Sequence, residues 1–239
     1  MEPRFVVTGC ARSGTLFMAE SLAKLGHACG HEQLFTPETR SLPSFREAQG
    51  DVSWLAAPFM RDLPPGTVVL HQVRDPLANL RSMLGVRMFQ TKPHPFMQAR
   101  YRLQYYRIRF ARPITNARFV RFAAEHCPGV FELPDEASRA ASYWVRWNRM
   151  IEAADARDDL VYRRYRVEDL DDQLLAELDQ LLGGSASVAD TARVLGELGT
   201  STHRARQVDA LGFDAIADVP TRDALAALAL DYGYDLGSG

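Results

Sequence analysis

Lysine is almost absent from this chain. Of 28 basic residues in 239, only Lys24 and Lys92 are lysines, so nearly every fixed positive charge is a guanidinium, permanently protonated and shaped as a planar fork for anions. Cysteine is scarce too. Cys10, Cys29 and Cys127 are odd in number and lack metal-ligand spacing, which excludes a disulfide scaffold and argues for a reduced, cytoplasmic setting. No run approaches 18 consecutive apolar residues, so no membrane span is expected. The apolar run Arg4-Phe-Val-Val-Thr8 leaves no room before it for a signal peptide. Negative charge is missing locally: from Pro76 to Ala124 there is no acidic residue but ten basic ones, while the other 18 basic residues face all 30 acidic ones. The net charge of −2 predicts no general attraction to nucleic acid, yet one region is built to meet anions. Arginine over lysine, with abundant alanine, fits a GC-rich bacterial genome.

What is present suits an ordinary globular chain. Hydrophobic residues make up 46%, enough at this length to bury a large core without staples. One domain over 1–239 is expected, with a basic aromatic helical insertion around 88–150. Phe5-Val-Val is an apolar run stopped by Gly9, and from Thr15 the residues Leu16, Met18, Ala19, Leu22, Ala23 and Leu25 recur at helical spacing until Gly26. Thr67–Val73 repeats the pattern after the turn signal Pro64-Pro65-Gly66, with Pro76 at a first helical position. Leu160–Tyr165 is a further strand, followed by a helix through Leu182. Strands separated by helices predict an α/β, three-layer fold around a parallel sheet, of the P-loop-like kind.

Gly9-x-x-x-x-Gly14-Thr15 sets two glycines around a strand-to-helix turn. Backbone N–H groups and a helix N-terminus there suit a phosphate. A nucleoside-triphosphate loop would continue Gly-Lys-Ser/Thr, whereas here Thr15 follows Gly14 directly and Arg12 is the loop's cation. At the second strand end Arg74 precedes Asp75-Pro76, and Ser82 follows eight residues after Arg74. A guanidinium and a hydroxyl can hold a second phosphate at the carboxyl end of a strand, provided the helix bearing Ser82 leans over it. A nucleotide phosphorylated at both 3′ and 5′ positions would satisfy both loops.

Thr8-Gly-Cys-Ala-Arg-Ser-Gly-Thr15 resembles the 5′-phosphosulfate loop of the PAPS-dependent sulfotransferases, PAPS being 3′-phosphoadenosine-5′-phosphosulfate. Val73-Arg-Asp-Pro-Leu-Ala-Asn-Leu-Arg-Ser82 resembles their 3′-phosphate motif. Tyr165-Arg-Val-Glu-Asp-Leu170 and Tyr143-Trp-x-x-Trp-Asn148 are similar to segments further along, so the anchors run from residue 4 to residue 182. The resemblance implies that Ala11, Arg12, Ser13, Gly14 and Thr15 bind the 5′-phosphosulfate and that Arg74 and Ser82 hold the 3′-phosphate. Leu16 stands where the family often has a second threonine. Arg204 and Arg206 are candidate extra contacts, though they read more readily as surface residues.

Sulfuryl transfer to an alcohol needs in-line alignment, charge stabilisation on the bridging oxygen and removal of the acceptor's proton. Arg12 and the loop amides supply the second need. For the third, by analogy with sulfotransferases that carry a glutamate at this distance, Glu32 is the first choice and His31 the alternative; histidine near 6.5 is ordinarily the better-poised base than glutamate near 4.3. His71, inside a strand, reads as a packed histidine. Trp54 could stack on adenine, line an acceptor pocket or belong to the core. The expectation is a sulfotransferase acting on a small-molecule, carbohydrate or lipid hydroxyl, with PAPS as co-substrate and no metal. A non-catalytic PAPS- or bisphosphate-binding protein and an ATP-dependent phosphotransferase are the alternatives.

Overall fold

Strand β1 (Phe5–Gly9) alternates its side chains between two apolar clusters, Phe5 and Val7 packing on one face and Val6 on the other. The computed structural model describes residues 3–43, 49–89, 116–199 and 211–236. Within them, β1, β2 (Cys29–His31), β3 (Gly50–Val52), β4 (Val68–Val73) and β5 (Val161–Arg166) form one sheet in the order β2-β3-β1-β4-β5. All four pairings are parallel. On one face helix α1 (Thr15–Lys24) shares a cluster with α5 (Asp172–Leu181), through Met18, Leu22, Leu175 and Leu178, whereas α2 (Pro76–Gly85) belongs to the opposite face. On the other face α2, α4 (Glu136–Glu152) and α7 (Val219–Asp231) pack through Leu80, Met83, Trp144, Trp147, Leu225 and Leu228. The α/β three-layer class expected from the pattern is the one observed.

α3 (Asn116–His126) and α6 (Val188–Gly199) complete the helices among the described residues. A 3₁₀ segment, Trp54–Asp62, follows β3. Residues 136–152, grouped by sequence with the aromatic arm, form a helix whose Tyr143, Trp144 and Trp147 are fully buried beneath the sheet. Most of the basic arm, residues 90–115, lies outside the described residues, as do Arg204 and Arg206.

Topology fixes where a ligand can sit. After β1 the chain runs to β2 on one side; after β4 it leaves for β5 on the other. The neighbouring carboxyl ends of β1 and β4, in register at Gly9 and Gln72, therefore bound the crevice where strand order reverses, the usual binding place in open α/β sheets. No helix among the described residues is long and apolar enough to cross a membrane, and no group of His, Cys, Asp and Glu among them could hold a metal ion.

Candidate functional site

Four helices begin with an aspartate whose carboxylate accepts a backbone N–H: Asp75 before α2, Asp135 before α4, Asp171 before α5 and Asp218 before α7. α1 does not. Gly14, at φ 98°, leads into it with no side-chain cap and no acidic residue in the first turn. Its first N–H donors carry the positive end of the helix dipole and are left for a ligand. The loop before it is tightly built. Ser13 N–H donates to the Cys10 carbonyl at 3.0 Å, and a Cβ on Gly9 would lie 2.2 Å from the Gln72 carbonyl oxygen, so only glycine fits there.

Gln72 holds the loop from the adjacent strand. Its Nε2 donates to the Ser13 carbonyl at 2.6 Å, and its Oε1 accepts from the Tyr165 hydroxyl at 2.6 Å. Glu168, just beyond β5, accepts from Asp75 N–H at 2.9 Å and from the Tyr234 hydroxyl at 2.7 Å. The segment Tyr165–Leu170 thus steadies both loops.

The two loops meet at their charges. Arg12 Nε donates to Ser82 Oγ at 3.2 Å, and Arg74 Nη1 donates to the Arg12 carbonyl at 2.9 Å. Neither guanidinium pairs with a carboxylate among the described residues. Burial, and then the charge of Arg74, lower the Arg12 pKa from its ordinary value. Arg12 sits at φ 71°, in the left-handed region that a side-chain-bearing residue enters at a cost.

Thr15, first residue of α1, links the cradle to the other candidates. Its Oγ1 lies 3.1 Å from His31 Nε2, which is 3.7 Å from Glu32 Oε1. Burial lowers the His31 pKa against the raising influence of Glu20. Burial raises that of Glu32, opposed by a hydrogen bond from Trp54 and assisted by Asp51. Glu32 also has a left-handed backbone, φ 54°, so two of the three such non-glycine residues among those described belong to this site.

Asp51, fully buried in β3, shapes the turn beyond Glu32: its carboxylate accepts from the N–H groups of Gln33, Leu34 and Phe35, each at 3.1 Å. Asp51→Asn puts an amide NH₂ against at least one of these donors. It is expected to cost about 1–3 kcal/mol, read as a lower urea midpoint, and to loosen the turn that carries Glu32.

Other candidates fall elsewhere. Ser13 is fully buried, its Oγ tucked against Gly9 without a hydrogen-bond partner, so it shapes the loop from beneath. Ala11 is buried as well, while Leu16 is 43% exposed in the first turn of α1. His71 is a packed histidine: Tyr162 OH lies 2.7 Å from Nδ1 and Asn148 Oδ1 2.9 Å from Nε2, and burial drives its pKa down to about 3. Trp54 belongs to the core, with ring centroids 5.8 Å from Trp147 and 6.2 Å from Phe122, and its carbonyl accepts from the Trp147 indole at 2.8 Å. Gln72 and Asp51 are supports that sequence reasoning missed, and Tyr165, singled out only within the Tyr165–Leu170 segment, gains its role from Gln72. Their partners lie far along the chain, and only a polar residue inside an otherwise apolar strand, as at Gln72, could have flagged them.

Among solved structures, the chain is similar to mouse sulfotransferase SULT7A1 complexed with PAP. The likeness is 14% in sequence identity, with a TM-score of 0.44, and covers 88% of this chain and 68% of that one. No protein-family model matches the sequence, and no curated protein does.

Proposed function

We propose that this chain is a sulfotransferase that moves a sulfuryl group from PAPS to a hydroxyl of a small-molecule, carbohydrate or lipid acceptor, releasing adenosine 3′,5′-bisphosphate. The observation that carries the reading is the meeting of Arg12, Arg74 and Ser82 across two loops, beside an α1 N-terminus left uncapped. Two anion subsites on adjacent strand ends fit a nucleotide phosphorylated at two positions. The sequence motifs at both loops support the same donor.

In this reading the amides around Gly14 and the Thr15 hydroxyl hold the 5′ side. Glu32 takes the acceptor proton as the acceptor oxygen bonds to sulfur, and the bond from sulfur to the bridging oxygen breaks. Negative charge then grows on the bridging oxygen, where the α1 N-terminus and loop amides are preorganised to meet it. His31, beside both Thr15 and Glu32, orients the two and is the rival base. A raised Glu32 pKa makes its carboxylate a stronger base than an exposed glutamate, at the cost of requiring a pH high enough to ionise it.

Calorimetric titration with adenosine 3′,5′-bisphosphate, with AMP and ATP–Mg²⁺ as controls, tests the donor. Micromolar binding that depends on the 3′-phosphate is expected. Absence of binding, or preference for ATP–Mg²⁺, would sink the assignment in favour of phosphoryl chemistry or none.

A further inference from the structure

Gln72 is a polar residue in a strand whose six residues are all buried. Burying a carboxamide is costly unless its hydrogen bonds are met, and here both ends are. Nε2 lies 2.6 Å from the Ser13 carbonyl oxygen, and Oε1 lies 2.6 Å from the Tyr165 hydroxyl. A carbonyl oxygen only accepts, so the amide faces it with its NH₂ and leaves its own oxygen for Tyr165. Burial holds the Tyr165 phenol well above its ordinary pKa, so it keeps the proton that it donates. The orientation of Gln72 is fixed from both sides.

That orientation decides which way one peptide of the first loop faces. The Ser13–Gly14 peptide is planar and trans, so its N–H points opposite to its carbonyl. Gly14 sits at φ 98°, and glycine takes either sign of φ about as readily. Sterics at Gly14 therefore leave this peptide plane free to turn over, as between β-turn types I and II. Its neighbours are tied by other groups. The preceding peptide is held at both ends, its Arg12 carbonyl by Arg74 and its Ser13 N–H by the Cys10 carbonyl. The following one belongs to α1, where the Gly14 carbonyl accepts from Met18 N–H at 3.2 Å. Among the described residues, only Gln72 ties the peptide between them. With the Ser13 carbonyl drawn toward β4, Gly14 N–H is turned away from that strand. It joins the N–H groups at the start of α1 that no helical carbonyl meets.

We propose that Gln72 is a positioning residue for the 5′ subsite: from the neighbouring strand it turns the Gly14 N–H toward the 5′ group of the donor, and Tyr165 fixes the amide that does so. Neither side chain needs to touch the ligand. This inference rests on the donor reading above and gives its 5′ loop a determinant that lies outside the loop itself.

Wild type, Gln72→Met and Gln72→Glu would each be titrated with adenosine 3′,5′-bisphosphate, AMP and adenosine 3′-monophosphate, with circular dichroism to check the fold. Gln72→Met keeps the length of the side chain and removes the NH₂. It is expected to weaken the two 5′-phosphorylated ligands by about tenfold, the ordinary loss for a hydrogen bond to a charged group, and adenosine 3′-monophosphate by less than about threefold. A support that merely kept the protein folded would weaken all three alike. Gln72→Glu adds a reading with its own sign. A carboxyl buried there has a raised pKa; protonated, it donates O–H to the Ser13 carbonyl as the NH₂ does, and ionised, it opposes that carbonyl. Its affinity for bisphosphate, taken relative to wild type at each pH, should fall as pH rises and recover as pH drops. Equal loss for the three ligands, unchanged affinities, or one ratio to wild type at every pH overturns the inference. If Gln72→Met does not fold, the pH series decides. A wild type that binds bisphosphate no better than AMP removes the donor reading instead, and the comparison of AMP between wild type and variants still reads the role of Gln72.

Discussion

Glu32→Gln is expected to lower turnover by about 10²- to 10⁴-fold, the range for removing a general base, with affinity for adenosine 3′,5′-bisphosphate unchanged. The substitution keeps the shape and leaves the Trp54 contact an oxygen to reach. The pH dependence has a definite sign. The base works ionised, and burial raises the Glu32 pKa, so turnover should rise with pH through a value above the ordinary glutamate range. Stability runs the other way: a raised folded pKa favours the protonated state, and its contribution is lost as pH rises through that value. Glu32→Gln should therefore match or exceed the wild-type melting temperature at neutral pH while losing activity. If Glu32→Gln turns over at the wild-type rate and His31→Gln does not, the base is His31.

Arg74→Ala should weaken adenosine 3′,5′-bisphosphate by about 100-fold, the upper range for one charged hydrogen bond, because the residue has two tasks. It contributes charge at the second loop, and it holds the Arg12 carbonyl, fixing the first loop against the second. Calorimetry reads the affinity, and a melting temperature close to wild type would assign the loss to the site. An affinity within about threefold of wild type would be too small a change for a charge-assisted contact and would remove Arg74 from the subsite.

Much of the layout was legible because local rules agreed. β1 and β4 are apolar runs ended by glycine or by Arg-Asp-Pro, and α2 starts where Pro76 predicts. β3 escaped because it is only Gly50-Asp51-Val52, and a charged residue at its centre reads as loop until its three amide partners are seen. The site followed the same division. Spacing alone singled out Arg12, Thr15, Arg74 and Ser82, whereas the direction of the Arg12 side chain depends on a contact with α2 that no local pattern encodes. Glu32 and His31 were paired by analogy, and it is the Thr15 hydroxyl, next to His31, that ties them physically to the cradle. Gln72 and Tyr165 show the limit most plainly, since their hydrogen bond joins two strands 93 residues apart.

The left-handed backbone at Arg12 and Glu32 has a consequence for anyone improving this protein. Each position holds a branched-out side chain in a conformation that glycine adopts freely, at about 1–2 kcal/mol apiece. A screen that rewards heat resistance alone would be drawn to glycine at both, relaxing the backbone while deleting the proposed phosphate contact and the proposed base. Robustness and chemistry are thus set against each other at two defined backbone positions, and selection for folding by itself would erode the activity first where the chain is most tightly wound.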